Sequence, residues 1–459
     1  MGSRKIEMCQ GPIGRNMIRY AIPVFFMGLV QRGFQMVDSI LAGQIGTSGS
    51  DAVTAVGATT ALTAMMINFF IGCATGSAVT VSHAVGSGNK MTIQKTVHTA
   101  MLLSVVLGAI LSVFGFFFSE TMLAMMSTPE DILGLATTYL RTYFLGMIPY
   151  MVYNFGAAIL NTIGENKKPL YFLLISGPIK VLLTVLFVSG LQMDVAGLAL
   201  ATTLSQIVSA VLVTISLMKR TDACKLQLSE LKISPKYLGK ILALGIPSGI
   251  QSATFSLSNV LIQTSVNSLS HINGFVTGNA AACSIEGVAE VTTATFYQTT
   301  MTFTGQNVGA HRYDRVKKVF YWAIGLSCIS VLVLTPTVVL LGRPLLRLYI
   351  TDSEEAIRWG MVRICYCFIP VIFQGLMDVL CGAIRGMGTS TASMVVCLLG
   401  ICGVRSLWLI TVFRIPVYHT PQALFSIYPI SWIVTTGALY VLYRHIYRKQ
   451  TRQAVPQTA

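Results

Sequence analysis

The sequence predicts an all-α polytopic membrane protein: twelve transmembrane helices in two six-helix lobes, related by an internal repeat with a pseudo-two-fold along the membrane normal. Three observations carry this. First, with 53% hydrophobic and 11% charged residues and a mean hydropathy of +0.68, the 459-residue chain has too few charges to cover a water-exposed surface of its size. Second, apolar stretches long enough to cross a bilayer core of about 30 Å as helices recur along its whole length. Third, the chain is written twice. Ile22-Pro23 returns as Ile246-Pro247, Val85-Gly86 as Val308-Gly309, and Ile163-Gly164 as Met387-Gly388, at offsets of 224, 223 and 224 positions. A register held over that distance with almost no insertion is the mark of a duplicated bundle, a common construction in secondary transporters.

The predicted spans follow in order. The first set falls at 17–42, 53–83, 96–118, 132–160, 170–189 and 195–217, the second at 238–266, 275–305, 319–341, 357–384, 392–413 and 423–444. Pro23, Gly72, Pro149, Pro178, Pro247, Pro336 and Pro370 lie inside them and read as kinks, because neighbouring helices in lipid can satisfy the backbone groups a breaker frees. The stretch Met218 to Tyr237 is polar, carries five basic residues and falls between the copies. The organisation is therefore an N-lobe over 1–217, a linker over 218–237, a C-lobe over 238–447 and a tail over 448–459.

Charge placement gives the orientation. Alternate loops collect Arg15 and Arg19, Lys90 and Lys95, Lys167 and Lys168, the linker lysines, Arg312 to Lys318, and Arg444 to Arg452. The opposite loops hold Asp51, Glu120, Glu130, Asp131, Asp194, Asp352, Glu354 and Glu355. The positive-inside rule then puts the linker, the tail and both termini in the cytoplasm, for a multi-pass protein of the cell membrane. The net charge of +15 is this loop bias. Scattered bases without interleaved aromatics do not make a nucleic-acid surface, so no nucleic-acid partner is expected.

Several function classes are excluded by what is missing. The six histidines are scattered, and none forms a ligand motif with Cys or carboxylate, which argues against a membrane-embedded enzyme and against a resident cofactor or metal. Cys365 and Cys367 have no second pair nearby, and the ten cysteines sit mostly in apolar spans, where they read as packing. No repeated filter loop or charge ring suggests a channel.

Ionisable residues within spans cost about 2.5–3.5 kcal/mol on insertion scales and so mark interior or wet faces. Those singled out are Arg32, Asp38, Lys180, Glu286, Glu290, Asp378 and Arg405. Lys180 and Arg405 stand 225 apart, in equivalent places on the fifth helix of each half. Glu286 and Glu290, four apart, share one helix face, where like charges suit a proton carrier.

Taken together, these residues resemble the multidrug and toxic compound extrusion (MATE) transporters common in Firmicutes-type bacteria. The resemblance runs through Val37-Asp38-Ser39-Ile40 with Gly43 and Gly46, Val85-Gly86, Leu160 to Gly164 with Pro169, Val195 to Gln206, Ile384 to Gly388 and Tyr428 to Trp432. It implies alternating access of two lobes, with export of small amphipathic or cationic organic compounds in exchange for inward cations. It implies a coupling role for Asp38, with Thr202 and Asn154 lining the same lobe. Lys180 and Thr184 stand where the family usually offers an asparagine and an aspartate. A lysine ammonium has only donors and cannot ligate sodium, so protons are the expected coupling ion, with sodium the second choice. An Asp38–Lys180 ion pair is expected in at least one transport state. In the C-lobe the resemblance places Glu286 at a family glutamate and Arg405 at a basic position, and puts Asp378 where a neutral residue is more usual. Glu286, with Glu290 beside it, is the residue expected to accept a cationic group on the substrate. A lipid-linked oligosaccharide flippase of the same superfamily is the alternative. The expected partners are a small-molecule substrate and the bilayer, with the protein a monomer.

Overall fold

The computed structural model describes residues 6–45, 49–126, 128–351 and 353–454, without the side chains of 35–36, 38–53, 58, 61 and 454. All regular structure among these residues is helical, as lipid demands of a backbone that must satisfy its own polar groups. The first half comprises α1 (Ile13–Ile45), α2 (Gly49–Ser87), α3 (Lys90–Met125), α4 (Glu130–Leu145), α5 (Met147–Thr162), α6 (Lys167–Val185, continued by a π turn, Leu186–Gly190) and α7 (Asp194–Met218). The second comprises α8 (Pro235–Ser268), α9 (Phe275–Gly309), α10 (Tyr313–Arg347), α11 (Glu354–Phe368), α12 (Val371–Gly386), α13 (Ser390–Cys397, continued by a π turn, Leu398–Gly403), α14 (Val404–Ile410), α15 (Pro421–Phe425) and α16 (Ile427–Ala454). Among the described residues, seven helices are long and apolar enough to cross a membrane alone, and up to nine spans result when each bent pair counts as one.

The repeat is visible in the breaks. The fourth span of each half, predicted as one continuous helix, is a bent pair: α4 and α5 meet at 47°, α11 and α12 at 44°. Pro370 caps α12 and Pro149 lies in the first turn of α5, where a proline's missing N–H is not needed. Pro23, Pro178, Pro247 and Pro336 instead lie within continuous helices. The repeated Gly164 and Gly388 end α5 and α12 with φ of +84° and +82°. After each, the next amide donates five residues back, Glu165 N to Leu160 O at 2.9 Å and Thr389 N to Ile384 O at 3.3 Å. That is a Schellman cap, and glycine supplies its left-handed residue without strain. A third repeat position is asymmetric: Gly88 (φ +69°) corresponds to His311, which holds φ +54° with a side chain.

By packing, the chain forms two compact units. One contains Ile22–Gly249, the other Glu7–Ala21 with Ile250–Ala459. In the first unit the opening turns of α8 lie against α2, backbone to backbone. Gly72 and Gly76 face Gly245 and Gly249, and a Cβ built on Gly76 would stand 2.5 Å from Gly245 N. Two small-xxx-small stripes thus meet, the device by which helices approach closely in lipid. Gly108 serves α3 similarly, where a Cβ would stand 2.6 Å from the Ile148 Cα. In the second unit the opening of α1 lies against α9. Buried Tyr20 packs edge-on to Phe303 at 5.6 Å, and its hydroxyl lies 3.3 Å from that of Thr302. Helix α9 also packs along α10, α11 and α12, which makes it the axis of this unit.

Candidate functional site

A cavity of about 320 Å³ lies within the second unit, walled by α8, α9, α11, α12, α14 and α16 and by the π turn before α14. Helical spacing delivers its side chains. Glu286, Glu290 and Thr293 follow at i, i+4 and i+7 along α9, Gln374 and Asp378 at i and i+4 on α12, and Tyr428 and Trp432 at i and i+4 on α16. The π turn Leu398–Gly403 runs directly into α14, whose second residue, Arg405, lines the cavity. Such local unwinding is frequent at functional sites.

The strongest interaction at the cavity wall is one that reading the sequence missed. Arg363 of α11 donates from Nε and Nη2 to the two carboxylate oxygens of Glu286, both at 2.8 Å. Its Nη1 donates to Asn279 Oδ1 and its Nη2 also reaches the Tyr428 hydroxyl at 3.3 Å. The guanidinium lies 5.4 Å from the Phe425 ring centroid and 5.3 Å from that of Tyr428. A charge only 4% exposed is tolerable in lipid when paired and hydrogen-bonded in this way. Glu286, expected to accept a cationic group on the substrate, is engaged by the bidentate guanidinium of Arg363 in this structure.

Two charged groups at the cavity differ from Glu286. Asp378 has no basic group within salt-bridge distance among the described residues. Arg405, 7% exposed, donates from Nε to Ser431 Oγ at 3.2 Å and lies 4.6 Å from the Tyr428 centroid. Glu290 is exposed, on the same α9 face as Glu286. The arrangement thus offers one carboxyl outside any close ion pair, one fixed guanidinium and aromatic walls.

The structure places the remaining predicted residues in the first unit. Asp38 is on α1 and its side chain lies outside the described residues, so the expected Asp38–Lys180 pair lies outside them too. Lys180 is half-buried on α6. One turn on, Thr184 is buried, with a hydroxyl that has no hydrogen-bond partner among the described residues. Thr202 and Asn154 donate to carbonyls of their own helices, Leu198 O at 3.0 Å and Tyr150 O at 2.8 Å. A second missed residue is Arg385 in the repeat motif at the end of α12. It is 5% exposed and donates to the Tyr297 hydroxyl at 2.6 Å and to Gln251 Oε1 at 2.7 Å. Arg363 had a signal, an arginine inside the tenth predicted span. Arg385 stands just past the end of that span and resembles a loop base in sequence.

Comparison with known proteins agrees with the fold and the repeat. The MatE family model matches twice, over residues 23–186 and 247–407. The probable multidrug resistance protein YoeA of Bacillus subtilis is 24% identical over 453 residues, 95% of each chain. A Shewanella oneidensis protein named as an FAD transporter is 22% identical and covers 76% of each. Among solved structures, an outward-facing multidrug resistance MATE family transporter of the MOP superfamily aligns with a TM-score of 0.89 at 16% identity, over 98% of this chain and 100% of that one. A Pyrococcus furiosus MOP superfamily transporter, described as having a binding pocket of reversed polarity, aligns with a TM-score of 0.88 at 17% identity, over 98% and 99%. With both halves of the duplicated bundle matched, the chain belongs to the MatE family: it is a multi-pass membrane protein and a MATE-type transporter.

Proposed function

We propose that this transporter exports small amphipathic organic compounds in exchange for inward protons, and that the cavity of the second unit is where proton and substrate are handled. The observation that carries the reading is Asp378. It lines the cavity without a base at ion-pair distance among the described residues, whereas Glu286, which lines it too, is held by Arg363. A carboxyl that is not locked in a close ion pair in a low-dielectric space alternates readily between a protonated and a charged form as access changes. The charged groups around it are Glu286 and Glu290 on α9, Arg385 two turns along α12 and Arg405 of α14, which lines the same cavity. The family's multidrug resistance members support export as the direction of transport.

In the first unit we propose that Asp38 and Lys180 pair, with Thr184, Thr202 and Asn154 nearby, which would leave no sodium site there. A lipid-linked oligosaccharide flippase would need several unpaired bases to hold a pyrophosphate. Among the described residues, Arg405 is the sole base lining this cavity. The linker, the tail and both termini are assigned to the cytoplasm on charge, and the transporter works as a monomer. The test is dye efflux from proteoliposomes under an imposed pH gradient, with choline replacing sodium. Strict sodium dependence, or movement of lipid-linked substrate in place of dye, would overturn the reading.

A further inference from the structure

The cavity carries a positive charge that its walls do not use. Arg405 is more than nine-tenths buried and lines the cavity. Its Nε is committed to Ser431, whose hydroxyl in turn donates to Tyr428 O at 2.9 Å, and its plane is held over the Tyr428 ring. Its two terminal amino groups meet no carboxylate and no other acceptor among the described residues. Arg363 stacks on the same ring, but Glu286 cancels its charge. The face of the cavity at Tyr428 therefore carries one uncompensated guanidinium. Burying a guanidinium in lipid without a counter-ion is costly unless a ligand provides one.

We propose that this cavity binds an aromatic organic anion, with a carboxylate or phosphate monoester forked onto the terminal amino groups of Arg405. The aromatic body lies among Tyr428, Trp432, Phe255 and Phe368, which line the same space. The fork suits this chemistry, because a planar guanidinium with its Nε already engaged still presents two parallel donors to two anionic oxygens. The volume of about 320 Å³ lies at the small end of organic-ligand pockets, which suits a body of about two fused rings. The inference rests on the reading of this cavity as the transport site, and it narrows the substrate class from amphipathic compounds in general to those bearing one anionic group.

The test is equilibrium binding to the full-length protein in detergent at neutral pH with no gradient, so its outcome is separate from whether export is proton-driven. The probes are 2-naphthoate, 2-naphthyl phosphate, methyl 2-naphthoate and 2-naphthyltrimethylammonium. One or both anions should bind more tightly than the ester, and which of them does so identifies the anionic group. Arg405→Gln should weaken the anions by about 10- to 100-fold, the span of one charge-assisted contact. The same change should leave the ester within about two-fold and leave the ammonium unchanged or tighter, since a like charge has gone. Arg405→Lys, which keeps the charge and loses the fork, should fall between and covers the case in which the glutamine variant does not fold. Equal binding of ester and anions, equal weakening of every probe by both variants, or displacement of the naphthyl anions by inorganic phosphate at the same concentration would each overturn the proposal.

Discussion

Replacing Glu286 with glutamine should cost the second unit more stability than any other single polar change in the cavity wall. The substitution is isosteric but removes the charge that Arg363 meets through two contacts of 2.8 Å. At about 4 Å between charge centres and an effective dielectric of about 20, the lost attraction is about 4 kcal/mol. Removing one partner of a buried pair costs about 3–5 kcal/mol in general, because the other charge is left uncompensated. Asn279 and the two aromatic faces remain, so the lower end, about 3 kcal/mol, is expected. For a folding unit of this size, about 2–4 °C per kcal/mol places the melting temperature some 6–12 °C below the parent. A thiol-reactive fluorogenic maleimide in detergent provides the assay, since Cys367, Cys381 and Cys397 are buried until the unit opens. Glu286→Gln with Arg363→Met should recover most of the loss, because two neutral partners leave no orphaned charge. A single variant within about 3 °C of the parent, or a double variant no better than the single, would refute the assignment of Glu286 to a structural pair.

Three further outcomes follow from the fold. Gly76→Ala puts a methyl 2.5 Å from the Gly245 amide nitrogen, a backbone atom with nowhere to go, and should lower stability by about 1–3 kcal/mol in the same assay. His311→Gly should raise it by about 1 kcal/mol, since a left-handed residue without a side chain relieves strain at a position where the other repeat has Gly88; an unchanged or lower melting temperature would contradict this. In the α5–α6 loop, burial pushes the Glu165 carboxyl up, but the charges of Lys168 at 2.7 Å and Arg220 at 2.8 Å outweigh it and hold the group below the usual carboxylate range. The stability Glu165 adds is therefore fully present above an unfolded value of about 4.3 and is lost as pH falls through the lower folded value. The melting gap between the parent and Glu165→Gln should be constant above about pH 5 and close below it.

Much of the architecture was legible because the solvent dictates it. Twelve apolar stretches, their repeat at 224 positions and the glycines that end α5 and α12 are local features, and lipid leaves a backbone few alternatives to helix. The bends between α4 and α5 and between α11 and α12 were not legible, because hydropathy continues unbroken through them. Nor was the membership of the compact units. A polar linker marks where the chain leaves the bilayer, while packing divides α8 between Gly249 and Ile250 and joins Glu7–Ala21 to the second unit. At the site, Glu286, Glu290, Asp378 and Arg405 were found by the cost of charge in lipid, and all four line one cavity. What the sequence does not show is a partner far along the chain. Glu286 was read with Glu290, its neighbour on the helix, whereas the structure sets Arg363, 77 positions away, against it. Gly72 and Gly76 are spaced for close packing in any reading, yet only the structure supplies Gly245 and Gly249 opposite them.

Coupling of export to protons through Asp378 in the second-unit cavity is measured in sealed proteoliposomes under an imposed pH gradient with sodium absent. The parent should accumulate an amphipathic dye against its concentration gradient. Asp378→Asn should lose that accumulation while still exchanging labelled for unlabelled dye across the membrane. Full accumulation by Asp378→Asn, or no accumulation by the parent until sodium is restored, would contradict it.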